Sequence, residues 1–186
     1  MNHEFRMYVG PMFGGKTTRM LSQMERHRYQ NEDTHLFKPA IDGRYDERSV
    51  VTHTGIKSEA TLVSSGQSIC KTVVRLVGFK PSVIAVDEAF MIPESGEALI
   101  WLFRKGHTIL VSSLQLSSDG SPYKEVTEMF PYATHIEVCP AVDPISKRDA
   151  YYTEKFGGRS DHEIEVGGAE MYRPRDWNGF FGGKDG

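Results

Sequence analysis

The pattern of apolar and polar positions predicts strands that alternate with helices along most of the chain. Strands are predicted over Phe5–Val9, around Leu36, over Val83–Val86 and over 108–112. Helical spacing of apolar residues predicts helices over 17–30, 69–77 and 94–105, with Gly106 as the C-terminal cap of the third. Because Val83–Val86 is apolar throughout, it is typical of a strand buried in a parallel sheet. The pattern therefore predicts an α/β fold with crossover helices.

Two stretches depart from this alternation. Residues 40–66 carry charges, Gly and Ser without a sustained period, and are predicted to form a long loop with scattered short structure. After Cys139 the pattern changes to short β-like pieces, over 150–156 and 163–166, separated by glycines. We therefore expect an α/β domain over 1–138 and a small β lobe with a C-terminal tail over 139–186.

Composition narrows the class of protein. The chain has 186 residues, 39% of them apolar and 25% charged, which predicts a packed core. A net charge of -3 argues against general nucleic-acid binding. No apolar run has the length needed to cross a membrane, and the first residues lack a signal-peptide core. Two distant cysteines, Cys70 and Cys139, form no disulfide framework, and a reducing cytoplasm is expected.

A phosphate-binding motif follows the first predicted strand. It matches G-x-x-x-x-G-K-[ST] in full and opens the first predicted helix. Its residues are Gly10, Pro11, Met12, Phe13, Gly14, Gly15, Lys16 and Thr17. In such a loop, backbone N–H groups and the helix N-terminus surround phosphate oxygens. Lys16 is expected to reach the β- and γ-phosphates of ATP, and Thr17 to bind Mg²⁺.

Two acidic residues follow the apolar run Val83–Val86. A carboxylate at the end of such a strand is where phosphate-loop enzymes hold magnesium, so Asp87 is the candidate. Glu88 points to a different side and is a candidate acceptor of a proton from an attacking hydroxyl or water. Together with the loop, these residues predict ATP binding and phosphoryl transfer, and leave a kinase, an ATPase and a motor open.

Several segments resemble the zinc-type thymidine kinases, a family of tetrameric cytosolic enzymes. They are Gly-Pro-Met-Phe-Gly-Gly-Lys-Thr at 10–17, Lys-Pro-Ala-Ile-Asp-Gly-Arg-Tyr at 38–45, Val-Asp-Glu-Ala at 86–89 and Val-Gly-Gly-Ala-Glu-Met-Tyr at 166–172. The resemblance implies a RecA-like parallel sheet, and a small β lobe whose lasso-like loop covers the base. It also implies ATP and Mg²⁺ as cofactors, thymidine or a related deoxynucleoside as substrate, and a homotetramer.

The resemblance assigns roles to individual residues. Glu88 is the implied catalytic base toward the nucleoside 5′-hydroxyl. Asp42 and Arg44 are implied to assist around the ATP phosphates, although a surface ion pair is an alternative. The implied substrate-binding residues are Met12, Phe90, Leu114, Ser118, Tyr123, Glu163, Ile164, Glu165, Val166, Gly167 and Tyr172. For Tyr172 a packing aromatic is the alternative interpretation.

The sequence departs from the family at its zinc site. The four positions of the family's zinc cysteines fall at Asp143, Ser146, Asp176 and Gly179. A structural zinc site requires four N or S ligands, so we predict that zinc is absent. Our hypothesis is that Trp177, Phe180 and Phe181 dock onto the lobe and replace the metal.

Other departures concern the base pocket. Phe90 stands where the family has Gln, Gln115 where it has Asp, and Ser118 where it has the aromatic that stacks on thymine. Phe90 or Tyr123 could supply the missing ring. Two functions are therefore compared. The first is a thymidine or related nucleoside kinase. The second is a P-loop ATPase or nucleotide-binding regulatory protein that lost its nucleoside pocket.

Overall fold

A six-stranded parallel sheet forms the centre of the molecule. The computed structural model describes residues 3–41, 49–51, 57–157 and 168–182. The strands in these residues are β1 Phe5–Val9, β2 Thr34–Pro39, β3 Ser49–Val51, β4 Lys57–Glu59, β5 Thr61–Val63, β6 Val83–Val86, β7 Thr108–Ser113, β8 His135–Val138, β9 Ala141–Val142, β10 Asp149–Ala150, β11 Tyr152–Lys155 and β12 Tyr172–Arg175. The central sheet has the order β5-β2-β6-β7-β1-β8. All five neighbouring pairs in it are parallel.

Helices cover both faces of this sheet. They are α1 Lys16–Tyr29, α2 Gly66–Val77, α3 Ser95–Arg104, α4 Lys124–Met129 and α5 Trp177–Phe181, with short 3₁₀ turns at Ala89–Met91 and Phe130–Tyr132. Helix α1 packs on one face, and α2, α3 and α4 pack on the other. The sheet is thus buried on both faces, as the apolar strands predict.

Alternation along each strand divides the core into two layers. Met7 and Ile84 point into the layer with α2, α3 and α4, whereas Tyr8 and Ala85 point into the layer with Met20 of α1. Most of these side chains are fully buried. Because β6, β7 and β1 are parallel neighbours, their C-terminal ends lie on the same side of the sheet. The candidate site lies at these strand ends.

The segments after β8 form a second group of elements, which we call the C-terminal lobe: β9 to β12 and α5. Antiparallel pairing joins β9 to β10 and β11 to β12. A third two-stranded antiparallel sheet, β3 with β4, precedes β5. Helix α5 begins after Asp176, whose side chain accepts a hydrogen bond from the Gly179 N–H at 2.7 Å.

The predicted α/β class and the predicted strands and helices before residue 114 are confirmed within small differences at their ends. The interpretation of 40–66 as a loop with scattered short structure missed that β5 joins the central sheet as an edge strand. Edge strand β8, helix α4, strand β12 and helix α5 were not predicted. The strand piece predicted over 163–166 lies outside the described residues.

Candidate active site

The phosphate loop connects the end of β1 to the start of α1. Two of its positions require glycine for a steric reason, because the carbonyl oxygen of Cys139, just after β8, lies against the loop. A side chain at Gly10 or Gly14 would overlap this oxygen. Gly10 also has φ 145°, a conformation that L side chains rarely adopt. The loop is therefore held close to the backbone of the β8 end, which explains why these positions carry glycine.

Two basic side chains brace the loop. The Lys16 ammonium is buried and donates a hydrogen bond of 2.7 Å to the carbonyl oxygen of Pro11. Arg19 donates to the carbonyl oxygen of Gly14 at 2.8 Å and forms an ion pair of 2.7 Å with Glu137 on β8. Lys16 was predicted from the motif. Arg19 was missed, although it lies one turn from Lys16 on the predicted helix.

A cluster of three oxygen-bearing side chains lies beside the loop. The hydroxyl of Thr17 donates to Oδ1 of Asp87 at 2.9 Å and lies 3.4 Å from the hydroxyl of Ser112. The structure thus brings together two residues that are 70 positions apart in the chain. Hydroxyl and carboxylate oxygens are the ligands Mg²⁺ prefers, so this donor set fits a magnesium ion. Ser112 was missed, but its place at the end of the predicted strand β7 was a usable signal.

Glu88 follows Asp87 at the turn out of β6. Its backbone is left-handed, with φ 51° and ψ 46°, and its side chain is half-buried. The chain thus leaves its extended course at Glu88, directly after the Asp87 that follows strand β6. The left-handed conformation of a non-glycine residue often accompanies function.

Four predicted substrate-binding residues lie in one apolar cluster. Phe90 and Leu114 are buried in the core layer with α2, and Met12 and Tyr123 pack against the same layer. The rings of Phe90 and Tyr123 are 4.7 Å apart between centroids, at an angle of 40°. The backbone N–H of Phe90 also donates to the Ser113 hydroxyl at 3.1 Å. Both rings proposed as substitutes for the missing stacking aromatic are therefore in contact with each other.

Ser118 lies in the turn between Leu116 and Pro122, which belongs to a segment we call the 116–123 loop. Leu116 and Pro122 form an isolated antiparallel bridge. Within the turn, the Ser117 hydroxyl donates to Asp119, and the Ser121 N–H donates to Asp119 at 2.9 Å. The Ser117 hydroxyl lowers the pKa of Asp119, and the Ser121 N–H lowers it further. The loop is thus closed by its own polar side chains, with Ser118 half-buried at its tip.

The remaining predicted residues divide into two groups. Tyr172 is half-buried and begins β12, opposite Lys155 of β11. Asp42 and Arg44, and the segment Glu163, Ile164, Glu165, Val166 and Gly167, lie outside the described residues. Their proposed contacts with ATP and with the base therefore stay predictions.

The residues at the family's four zinc positions do not fit zinc. Both carboxylate oxygens of Asp143 accept hydrogen bonds from N–H groups, including Asp176 N at 2.8 Å and Arg175 Nε at 3.0 Å. A side chain at Gly179 would overlap the Arg175 guanidinium. The Arg175 guanidinium therefore occupies the space between Asp143 and Gly179, and Ser146 offers only a hydroxyl as a ligand. Among residues 3–41, 57–157 and 168–182, no group of three or more His, Cys, Asp or Glu side chains could hold a metal ion.

Two of the three aromatic residues named in the hypothesis pack within the C-terminal lobe, and the third is exposed. Phe180 is buried at 2% exposure and stacks on Tyr152 at 5.1 Å, and Phe181 meets the same tyrosine edge-on at 5.0 Å. Trp177 is 60% exposed and approaches only Phe181 among the described rings, at 5.9 Å. Trp177 is not a buried anchor, because it occupies the exposed face of a helix with few turns.

None of the helices in the described part of the chain combines the length and the apolar character that crossing a membrane requires.

A parallel sheet, a glycine-rich loop at the N-terminus of α1 and an adjacent Thr–Asp pair define a P-loop nucleotide-binding protein. Comparison with known proteins identifies the family within this class. The thymidine kinase family model matches residues 3–176. A thymidine kinase of Thermococcus kodakarensis (strain ATCC BAA-918 / JCM 12380 / KOD1) is 35% identical over an alignment of 176 residues, and the match covers 90% of this chain and 88% of that protein.

The chain therefore belongs to the thymidine kinase family. Membership makes it a nucleoside kinase and implies that it uses a nucleoside and ATP as substrates. It also favours the kinase over the ATPase or regulatory protein that the sequence left open.

Proposed function

We propose that the chain transfers the γ-phosphoryl group of ATP to the 5′-hydroxyl of thymidine or a closely related deoxynucleoside, with Mg²⁺ as cofactor and Glu88 as catalytic base. The observation that carries the proposal is the contact between Thr17 and Asp87 at 2.9 Å, beside Lys16. This arrangement supports a phosphoryl-transfer site because it combines a phosphate cradle with a place for a divalent cation.

The phosphate half of the site consists of the loop over residues 10–17 and the N-terminus of α1. The first turn of this 14-residue helix contains no acidic residue, so its positive dipole end is available to an anion. Lys16 lies in the loop and is proposed to bind the β- and γ-phosphates. Asp42 and Arg44 are proposed to assist there, as the family resemblance implies.

Thr17 and Asp87, with Ser112 beside them, would hold Mg²⁺ directly or through water. Bound magnesium neutralises charge on the β- and γ-phosphate oxygens during transfer. The protein would supply oxygen ligands in fixed positions, since Thr17 lies in the first turn of α1 and Asp87 directly follows the buried strand β6.

Glu88 is proposed to accept the proton of the nucleoside 5′-hydroxyl. As that proton leaves, the hydroxyl oxygen bonds to the γ-phosphorus, and the bond from this phosphorus to the oxygen of ADP breaks. The left-handed backbone of Glu88 supports this role because such a conformation in a non-glycine residue is frequent at active sites. General-base catalysis of this kind contributes about 10²- to 10⁴-fold in rate.

The base is proposed to bind against Met12, Leu114, Phe90 and Tyr123. Phe90 is 8% exposed, so Tyr123, which is half-buried, is the ring better placed to stack on a base. The backbone of residues 163–167, together with Ser118 and Tyr172, is proposed to complete the pocket. An apolar pocket with few polar groups suits a pyrimidine face.

The proposal extends to the protein as a whole. We propose a homotetramer in the cytoplasm, and a division into an α/β domain over 1–138 and a small β lobe over 139–186. Light scattering coupled to size-exclusion chromatography tests the first of these, and limited proteolysis near residue 139 tests the second.

The decisive experiment measures phosphorylation of a panel of deoxynucleosides with ATP and Mg²⁺. We expect thymidine to give the highest kcat/KM, and Glu88→Gln to lower kcat about 10²-fold or more. Glu25→Gln is the matched control, since Glu25 is exposed on α1 and pairs only with Arg28 among the described ion pairs. ATP hydrolysis without turnover of any nucleoside would overturn the proposal. Preferred turnover of another deoxynucleoside would correct the base and leave the mechanism.

A further inference from the structure

One arginine joins three segments of the C-terminal lobe. Arg175 on β12 donates from Nε to Asp143 Oδ2 at 3.0 Å, and from Nη1 to Glu154 Oε2 on β11 at 2.9 Å. Its guanidinium also occupies the space that a side chain at Gly179 would take, so it packs on the first turn of α5. The Arg175 side chain is only 13% exposed. Its planar guanidinium carries several N–H donors, so it can donate to more than one carboxylate at once.

The partner carboxylate is fully buried and fully engaged. Asp143 Oδ1 accepts from the N–H groups of Ile145 at 2.7 Å and Ser146 at 3.2 Å, and Oδ2 accepts from Asp176 N at 2.8 Å besides Arg175. Burial raises the pKa of Asp143, but these N–H donors and the guanidinium outweigh it and lower the pKa to about 2. Asp143 therefore stays anionic at neutral pH, and a compact cation–anion cross-link results.

Two of the joined segments reach the candidate active site. On β11, the hydroxyl of Thr153 accepts a hydrogen bond of 3.0 Å from the backbone N–H of Met12 in the phosphate loop. On α5, the buried ring of Phe180 lies against Gly120 of the 116–123 loop, where a Cβ would meet the ring at 3.6 Å. Both loops proposed to bind the nucleoside are thus in contact with segments that Arg175 holds.

We propose that Arg175, paired with Asp143, is a metal-free cross-link that positions Met12 and the 116–123 loop for the nucleoside. This proposal rests on the proposed function of these loops in nucleoside binding. Asp143 and Gly179 stand at two of the four positions where the family carries zinc cysteines, and the guanidinium supplies the positive charge between them. Arg175 is a positioning residue, since it acts through Thr153 and Phe180.

The test compares Arg175→Gln with Arg148→Gln in the full chain. Arg148 also pairs with an acidic residue of the lobe, Asp176 at 3.4 Å, but its side chain is 66% exposed. We expect Arg175→Gln to raise KM for thymidine about tenfold, equivalent to about 1.4 kcal/mol, and to change KM for ATP less than about twofold. Arg148→Gln is expected to leave both constants unchanged, and a zinc chelator is expected to leave the wild type unchanged.

Two further variants keep the test decisive if Arg175→Gln fails to fold. Arg175→Lys keeps the charge but not the fork of donors, and is expected to raise KM for thymidine less than Gln does. Phe180→Leu keeps an apolar side chain and is expected to raise KM for thymidine with kcat nearly unchanged. The proposal is overturned if these variants lower only the melting temperature, or if a chelator removes bound zinc and activity from the wild type. A wild type that phosphorylates no nucleoside would overturn the proposed function itself.

Discussion

The hydroxyl of Thr153 accepts a hydrogen bond from the backbone N–H of Met12 at 3.0 Å, although the two residues are 141 positions apart. Thr153 is 4% exposed and lies on β11 of the C-terminal lobe, whereas Met12 lies in the phosphate loop. One hydrogen bond therefore links the proposed nucleoside-binding lobe to the proposed ATP-binding loop. A residue proposed to line the base pocket is positioned by the same bond, because Met12 also packs against the core layer that contains Leu114 and Phe90.

Replacing Thr153 by Val should weaken both stability and substrate binding. Valine matches threonine in shape but leaves the Met12 N–H without its acceptor, which costs about 1–3 kcal/mol. We expect a lower urea midpoint and a several-fold higher KM for thymidine. Thr153→Ser retains the acceptor and should stay close to wild type. Thr127→Val is the matched control, because the Thr127 hydroxyl is exposed and bonds only to the Tyr123 carbonyl in the described part of the chain. Equal effects of Thr153→Val and Thr127→Val would refute the link.

Gly14→Ala should abolish tight ATP binding for a steric reason alone. The added methyl group would overlap the Cys139 carbonyl oxygen, so the loop or the end of β8 must move. We expect at least about a tenfold loss of ATP affinity by calorimetry, which corresponds to about 1.4 kcal/mol. The control is Gly78→Ala at the end of α2, where a Cβ meets nothing within 4 Å. Gly78 has φ 61°, so its alanine variant should lose stability by about 1 kcal/mol but retain ATP affinity. Retained ATP affinity in Gly14→Ala would contradict the steric argument.

The parts of the fold predicted from sequence are those with strong local signals. Strand β6 is an unbroken apolar run, and α1 follows a complete phosphate-loop motif, so both were predicted at nearly the right bounds. Edge strand β8 was missed because three of its four residues are exposed, which removes the apolar signal. Strand β12 contains Pro174, which counts against a strand in sequence but is tolerated because β12 pairs only with β11 in the described sheets.

In the candidate site too, the residues predicted from the sequence are those that belong to local motifs. Thr17 and Asp87 were predicted because each belongs to a contiguous motif with a defined chemistry. The Arg175–Asp143 pair, with a separation of 32 positions, carries no such pattern, since a charge in a loop has no local partner that identifies it. Long-range side-chain contacts of this kind follow from the three-dimensional fold. The contacts of Arg175 join segments of the C-terminal lobe to one another, whereas the sequence indicated only aromatic packing between them.

Stability should fall in mildly acidic solution because of two histidines at the N-terminal edge of the sheet. Burial lowers the pKa of His35 on β2, which Asp33 partly offsets. Burial also lowers the pKa of His107 before β7, which the Ser82 backbone partly offsets and His35 lowers further. In the described part of the chain, His35 Nε2 and His107 Nδ1 are buried without a hydrogen-bond partner. Below the ordinary histidine pKa of 6.5, the unfolded state binds more protons than the folded state. The contribution of the two neutral histidines to the free energy of unfolding is therefore fully present above that pH. It is lost as the pH falls through the lowered pKa values of the folded state.

The measurement is the melting temperature between about pH 7.5 and about pH 5, a range that spans the ordinary histidine pKa. His107→Leu should reduce the slope of melting temperature against pH, because it removes one of the two groups. His135→Gln should leave the slope unchanged, because His135 is exposed on β8. An identical slope in wild type and His107→Leu would rule out this origin of the acid sensitivity.

The magnesium requirement should depend on the Thr17 hydroxyl. Thr17→Val keeps the shape of the side chain but removes the oxygen that donates to Asp87 at 2.9 Å and lies 3.4 Å from the Ser112 hydroxyl. Because the proposed ion loses one of its oxygen ligands, we expect the Mg²⁺ concentration for half-maximal rate to rise about tenfold or more, equivalent to about 1.4 kcal/mol. Thr17→Ser restores the oxygen and should restore the wild-type requirement. Ser112→Ala should have a smaller effect, since Ser112 contacts Thr17 at the longer distance. If Thr17→Val and Thr17→Ser showed the same magnesium dependence as wild type, the ion would have to bind elsewhere, and the proposed roles of Thr17 and Asp87 would fall together.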